Sequence, residues 1–478
     1  MERVLAGYEP EKLYWYFEEL TRIPRGSKNE KAVADFFCAE AEKLGLPWYR
    51  DELHNVLIKK PGCGGLENAK PVILQGHSDV VCEKNQDVTH DFTRDPVEIY
   101  IEDGYLKTRG TTLGADNGTA CAIMLAILAE KGGKHPPLEC LFTTQEEIGM
   151  VGARGFDYSK IRGRTMINMD SGSIARPTVS CAGAEYDTVT FSFTRAATEG
   201  EGAEVFLTGL AGGHSGTRAK LGRGNSILLM ARILDAAREK APFRISFIDG
   251  GNKANAIPRE CRVRLVTPDL AAFTAAVKKE AGSLRRELVE MDGAFSVTVT
   301  AVEKEPAFSA KDTDDLLFFL NLVPNGVLST VPDHPESVET SSNSGVIRTE
   351  GDKVVLTVMP RSSSESRMDQ IARRLDLLAG RVGAAIRHDD RHQGWEFAPK
   401  SELRDVYARV YRDMTGEEPD FQGIHAGLEC GVIGAGLGGV DALAIGVKAP
   451  GAHTPEEKMD LADLARVYDF LKRLLAAM

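Results

Sequence analysis

The 478-residue sequence contains no Cys-x-x-Cys pair, no long apolar run and no excess of basic residues. Its eight cysteines, at positions 38, 63, 82, 121, 140, 181, 261 and 430, show no framework spacing, and most fall inside apolar strand or helix patterns. They read as buried free thiols, which fits a reducing cytoplasm better than an oxidising compartment. The longest apolar stretch, near 120–129, is far short of a bilayer span. The start, Met1-Glu2-Arg3-Val4-Leu5, lacks the apolar core of a signal peptide, so neither export nor a membrane partner is expected. A net charge of -12 argues against a nucleic-acid partner, because affinity for a phosphate backbone rests on clustered Lys and Arg. What remains, at 42% hydrophobic and 27% charged residues, is the composition of a globular protein. Its length exceeds one ordinary core, so two or more domains are expected.

Residues 1–184 alternate helix and strand. Helical periodicity over 11–44 breaks at Pro24-Arg25-Gly26, and Pro71-Val72-Ile73-Leu74-Gln75 is a short apolar strand ending at Gly76. A helix is predicted over 117–130 and strands over 138–143 and 165–169. Such alternation predicts an α/β domain with a doubly wound, mostly parallel sheet, whose ligands sit beyond the C-terminal strand ends. Near Tyr186 the pattern changes. Residues 187–193 alternate as a half-exposed strand. Helices are predicted at 225–240, 270–291 and 368–386, and strands at 244–248, 260–266, 295–302 and 353–359. From Ser401 the first pattern returns, with a helix to Met414, a strand at 441–445 and a helix at 461–477. The chain therefore reads as a catalytic domain (1–184 and 398–478) split around an inserted α+β lid domain (185–397). Elements of similar size recur in both halves of the insert, without sequence identity to support a duplication.

Acidic and histidine residues recur in Gly-flanked strand ends: Gly76-His77-Ser78-Asp79, Gly114-Ala115-Asp116-Asn117-Gly118, Glu146-Glu147, Met169-Asp170-Ser171-Gly172 and Gly451-Ala452-His453-Thr454-Pro455. Singly, each is an ordinary turn or cap residue. Jointly they fill two four-coordinate divalent ions. Asp116 and a water are shared between the ions, His77 and Asp170 complete one, and Glu147 and His453 complete the other. Charge balances as well, since two dications meet three carboxylates and a hydroxide. Such a pair clamps a carbonyl and lowers the pKa of water toward ~7. Asp79, two residues past His77, is expected to accept the second ring N–H of that histidine. Glu146 is left over as the base that takes a proton from water and passes it to a leaving amine. Histidine with carboxylates suits zinc, and manganese or cobalt also fit.

The motifs resemble those of the co-catalytic zinc metallopeptidases, which include aminoacylases, carboxypeptidases and cytosolic dipeptidases. The resemblance spans nearly the whole chain and is closest to the aminoacyl-histidine (Xaa-His, carnosine-type) branch. It rests on Gly76-His77-Ser78-Asp79-Val80-Val81, Leu113-Gly114-Ala115-Asp116-Asn117-Gly118, Thr144-Gln145-Glu146-Glu147-Ile148-Gly149 and Asn168-Met169-Asp170-Ser171-Gly172. It implies the metal and base roles given above, an inserted lid and a cis peptide after Asp116. It further implies that His214, in Ala211-Gly212-Gly213-His214-Ser215-Gly216, hydrogen-bonds the developing oxyanion. Asn255 could add an amide donor or form a plain turn, and Arg361 could fork onto a substrate carboxylate. The resemblance sets His425-Ala426-Gly427-Leu428-Glu429 at the substrate, where Glu429 could hold a free α-amino group; His425 and Glu429 could equally brace the sheet.

The expected activity is metal-dependent hydrolysis of small peptides, dipeptides of Xaa-His type foremost. A tripeptidase, a carboxypeptidase or an N-acyl amino acid deacylase could use the same site. An inactive amino-acid-binding protein would be expected to have lost a ligand or Glu146, and all are present. The inserted domain could carry a homodimer interface, or a duplicated one could mimic such an interface within a single chain.

Overall fold

The computed structural model describes residues 3–331 and 334–478. They form two compact units, one running up to Cys181 and resuming over Trp395–Gly423 and Leu428–Met478, the other comprising Ala182–Gly394 and Ile424–Gly427. Each unit has its own apolar core. The sequence-drawn boundaries fall three residues later at each crossing, and they leave the short segment Ile424–Gly427 in the wrong unit. That segment is too short to carry a periodic signal of its own.

The first unit is built on an eight-stranded sheet. In spatial order its strands are Trp48–Arg50, Val56–Lys60, Leu138–Thr143, Val72–His77, Thr165–Asn168, Asp441–Ala444, Thr178–Cys181 and Gln422–Ile424. The four from Leu138–Thr143 to Asp441–Ala444 are mutually parallel; Trp48–Arg50 and Val56–Lys60 on one side and Thr178–Cys181 on the other join antiparallel. The sheet is thus mixed, with a parallel centre. Every residue of Val72–His77 and of Leu138–Thr143 is buried, as expected of strands covered on both faces. The register sets His77 beside Thr143, and both Gln75 and Ala444 beside Asn168, so the C-terminal ends share one edge.

The helix Ala115–Ala129 is apolar all round, and all of it but Asp116 is buried. It lies close on the Val72–His77 strand because position 76 is glycine. A Cβ there would stand 2.5 Å from Ala120 Cβ. This close approach sets the start of the helix, and with it Asp116, near His77.

The second unit holds an antiparallel sheet that winds through Ser296–Val302, Glu201–Thr208, Cys261–Thr267, Arg244–Gly250, Ser344–Glu350, Lys353–Val358 and Gly183–Ser192. The last of these also pairs with Arg361–Ser362 and with Ala385–His392. Four long helices, Ser226–Arg238, Leu270–Glu287, Ala310–Leu322 and Glu365–Val382, complete this α+β unit. The helix predicted over 368–386 ends at Val382 instead. Gly383, in left-handed conformation at φ 71°, stops it, and Ala385 and Ile386 pair with Thr190 and Val189. Ile386 sits four residues past Val382, so helical spacing alone carries the pattern past its true end. Along Gly183–Ser192 burial alternates, and Glu185 and Asp187 fall in the same inward row as Val189 and Phe191. Among the described residues, no helix is long and apolar enough to cross a membrane.

Candidate metal centre

The aligned strand ends gather the dispersed motifs. His77 closes its strand, Glu146 and Glu147 lie in the turn after Leu138–Thr143, and Asp170 lies just past Asn168. His453 comes from the loop between Asp441–Ala444 and Lys458–Asp460. His77 Nε2 is 3.2 Å from Asp116 Oδ1 and 3.6 Å from Asp170 Oδ1. His453 Nε2 is 3.3 Å from Asp116 Oδ2 and 3.0 Å from Glu147 Oε1. Asp116 therefore turns one carboxylate oxygen toward each imidazole. Donor atoms of His77, Asp116 and Asp170 lie within 4.8 Å of one another, as do those of Asp116, Glu147 and His453, and those of His77, Glu146 and Glu147.

Buried polar groups hold these side chains. His77 Nδ1 donates to the backbone carbonyl of Asp79 at 3.0 Å, while the Asp79 carboxylate stands off at 3.5 Å. The second ring N–H of His77 thus meets the Asp79 main chain before its side chain. The Asp79 carboxylate has other work: it accepts the Glu146 N–H (3.0 Å), the Glu147 N–H (3.3 Å) and the Ser27 hydroxyl (2.8 Å). It fixes the turn bearing both glutamates. The Asp116 loop is held by Glu457, which is 3% exposed. Glu457 Oε2 accepts the N–H groups of Leu113 (2.8 Å) and Gly114 (3.0 Å), and Oε1 those of Ala115 (2.9 Å) and Asp116 (3.2 Å). The Asp116–Asn117 peptide is cis. Arg25, buried at the Pro24-Arg25-Gly26 break, donates to the carbonyls of Ser78 (2.9 Å) and Gly114 (2.7 Å), tying the two ligand loops together. Neither Glu457 nor Arg25 is distinguishable in the sequence from a surface charge. The one cue is that Glu457 shares a loop with His453.

The donor set fits two divalent cations. Because a carbonyl only accepts, His77 carries a proton on Nδ1, so Nε2, which faces two carboxylates, is the nitrogen that would ligate a cation. Glu147 Oε1 is buried and has no hydrogen-bond partner although His453 Nε2 is 3.0 Å away. Acceptors converging on a common point are ligands around a cation. The electrostatics agree. Burial pushes Asp170 up to about 6, with Asp116 and Glu147 adding to the shift against the pull of His77. Burial likewise raises Glu146 well above the usual carboxylate range, opposed by His77 and reinforced by Asp170, Glu429 and Glu147. His453 is drawn up to about 10 by Asp116 and Glu147. So much negative charge, turned inward on two imidazoles, is the environment that multivalent cations neutralise.

The remaining candidates divide between the units. Glu429 belongs to the first unit and is fully buried. Its Oε2 accepts from Gln75 Nε2 (2.5 Å) and the Thr143 hydroxyl (2.7 Å), while Oε1 has no partner. These are the contacts of a brace beneath the strand ends. His214, Asn255, Arg361 and His425 belong to the second unit. His214 Nδ1 accepts the N–H groups of Gly216 and Thr217, each at 3.1 Å, so its proton sits on Nε2. Burial and then Arg361 lower its pKa, keeping the ring neutral. Arg361 is 5% exposed, its Nε has no partner, and burial depresses its pKa. His425 Nε2 lies 2.7 Å from the Ser341 hydroxyl, and burial, Arg361 and His214 push its pKa down to about 3. The Asn255 carbonyl accepts the Ser215 N–H at 2.8 Å, and the residue is half-buried.

Two imidazoles astride a shared carboxylate, with a spare glutamate at the parallel edge of an α/β sheet, define a dinuclear metallohydrolase. The chain belongs to a peptidase family of that class: the model of Peptidase family M20/M25/M40 matches residues 73–477. It is 34% identical over 477 residues to the cytosol non-specific dipeptidase of Escherichia coli, covering 98% of both chains. The crystal structure of aminoacylhistidine dipeptidase from Vibrio alginolyticus superposes with a TM-score of 0.93 at 34% identity, covering 100% of this chain and 98% of that one. Aminopeptidase PepT from Bacillus cereus shares the fold, with a TM-score of 0.57 at 16% identity over 98% of each chain.

Proposed function

We propose that this protein is a cytoplasmic dipeptidase that cleaves dipeptides with free termini, Xaa-His among them. The observation that carries this is Asp116, with one oxygen toward His77 and the other toward His453. The names of the E. coli and Vibrio relatives support the dipeptide substrate, and the former supports the compartment. His77 and Asp170 would hold one divalent ion, Glu147 and His453 the other, with Asp116 between them; zinc suits the donors best. When bound, the ions polarise the scissile carbonyl and acidify water.

The chain's own residues do the rest. Glu146, its turn fixed by Asp79, accepts the proton of the attacking water and returns it to the leaving amine nitrogen. His214 offers its Nε2–H to the carbonyl oxygen as negative charge develops. Arg361, buried and with no acidic partner among the described residues, binds the substrate carboxylate.

The test is Glu146→Gln. Turnover should fall about 10²–10⁴-fold, while metal content stays at two equivalents per chain. Near-normal turnover in that variant would overturn the assignment of the base. A panel of dipeptides, their N-acylated and C-amidated forms, and tripeptides reads the specificity. Faster cleavage of N-acyl substrates than of free dipeptides would replace the dipeptidase reading with a deacylase.

A further inference from the structure

The second unit carries its own convergence of metal-type donors, distant in sequence from those described. Glu185 and Asp187 share the inward face of Gly183–Ser192, and His388 stands opposite Asp187 on Ala385–His392. Donor atoms of all three lie within 4.8 Å of one another. Glu185 is 4% and Asp187 0% exposed. Yet Glu185 Oε2 and Asp187 Oδ2 are buried with no hydrogen-bond partner. Two carboxylate oxygens in an otherwise apolar row, both unpartnered, have no reason to be there unless a cation meets them.

The charges around them supply one only in part: Arg391 and then His388 pull the Glu185 carboxyl down against its burial. Asp376 adds a carboxylate, with Oδ1 3.2 Å from His388 Nε2. Glu365 and Asp369, on the covering helix Glu365–Val382, are engaged by Arg391 at 2.9 and 2.7 Å. Among the described residues, these five carboxylates share the Arg391 guanidinium and the His388 imidazole. Burial raises the pKa of both acids, that of Asp187 to about 6, against the pull of Arg391 and His388 on Glu185 and of His388 on Asp187. The His388 ring lies between Asp187 Oδ1, 2.5 Å from Nδ1, and Asp376 Oδ1 beyond Nε2. A ligating histidine is held in this way, with one nitrogen at the ion and the other N–H on a carboxylate. The His388 side chain is 28% exposed, which leaves an entry path.

We propose that Glu185, Asp187 and His388 bind a third divalent cation of the zinc class, with Asp376 orienting the histidine. One imidazole and two carboxylates around a dication sum to zero charge, and ligands ~2 Å from one ion lie within about 4 Å of each other. The ion ties the first long strand of the unit to its last and serves structure rather than turnover.

Equilibrium dialysis of the full-length protein against buffered Zn²⁺, followed by elemental analysis, tests this. Wild type should hold three equivalents per chain. Glu185→Gln and His388→Ala should each hold two, with kcat/KM on a dipeptide unchanged, which also reports that the variants are folded. Asp116→Asn should lose the catalytic pair and keep one equivalent. Asp376→Asn should weaken only the third equivalent, about 10–100-fold. Two equivalents in wild type would overturn the proposal and leave Asp187, His388 and Asp376 as an ion-paired triad. So would a third equivalent that survives both Glu185→Gln and His388→Ala.

Discussion

Replacing Glu457 with Gln tests whether the metal pair depends on a side chain that need not touch it. The substitution keeps shape and volume but exchanges one carboxylate oxygen for an NH₂ group. At present each oxygen accepts two main-chain N–H groups from the Leu113–Asp116 segment. An amide can satisfy only one of those pairs, so two buried donors will face a third donor. Each buried donor left unmade costs about 1–3 kcal/mol, which gives about 2–6 kcal/mol in all. The loop can escape that cost only by moving, and Asp116 moves with it. If about 2 kcal/mol of the strain reaches the metal site, affinity for the pair falls about 30-fold. The assay is Zn²⁺ competition against a chelator of known affinity, with circular dichroism to confirm folding. Glu457→Asp, which keeps both acceptor oxygens, should recover part of the loss. Wild-type metal affinity in Glu457→Gln would refute the claim that this carboxylate positions Asp116.

Further outcomes follow from the same geometry. Gly76→Ala drives a methyl to 2.5 Å from Ala120 Cβ and should cost about 1–3 kcal/mol by urea unfolding; Ala120→Gly in the same chain should restore metal content. Asp79→Asn removes the anchor of the Glu146-Glu147 turn, so kcat should drop while KM changes little, as steady-state kinetics will read. Arg361→Lys should raise KM for free dipeptides but not for their C-terminal amides, since a point charge does not replace a planar fork. Dialysis against a chelator should abolish hydrolysis, and Zn²⁺, Mn²⁺ or Co²⁺ added back should restore it to different extents.

Much of the metal centre is legible in the sequence because its ligands sit where the chain punctuates itself. His77, Asp116, Asp170 and His453 each lie within two residues of a glycine, and His77 and Asp170 also end apolar runs that read as strands. Strand ends in a parallel sheet share an edge, so naming the strands already brings the ligands together. The groups that hold the ligands leave no such mark. Glu457 and Arg25 are charged residues in loops, which is where surface charges occur, and only burial sets them apart. The His77–Asp79 spacing suggests a side-chain bond to the ring, whereas the main chain is nearer and the carboxylate serves the Glu146-Glu147 turn. The Gly383 stop leaves no mark in the periodicity, because Ile386 extends the helical period across it.

The same reasoning explains why Glu185 and Asp187 escape a sequence reading. Alternation marks Gly183–Ser192 as a strand, but parity decides which face is buried. Since Val189 and Phe191 must face the core, Glu185 and Asp187 are forced inward by the same period. A sequence under no constraint would place apolar residues there, because an unpaired buried carboxylate costs several kcal/mol. The imidazole of His388 answers one oxygen of Asp187, while Oε2 of Glu185 has no hydrogen-bond partner among the described residues. If Glu185→Leu, of similar volume, left both Zn²⁺ stoichiometry and urea stability at wild-type values, the buried charge would have no function here, and the third-cation assignment would fall with it.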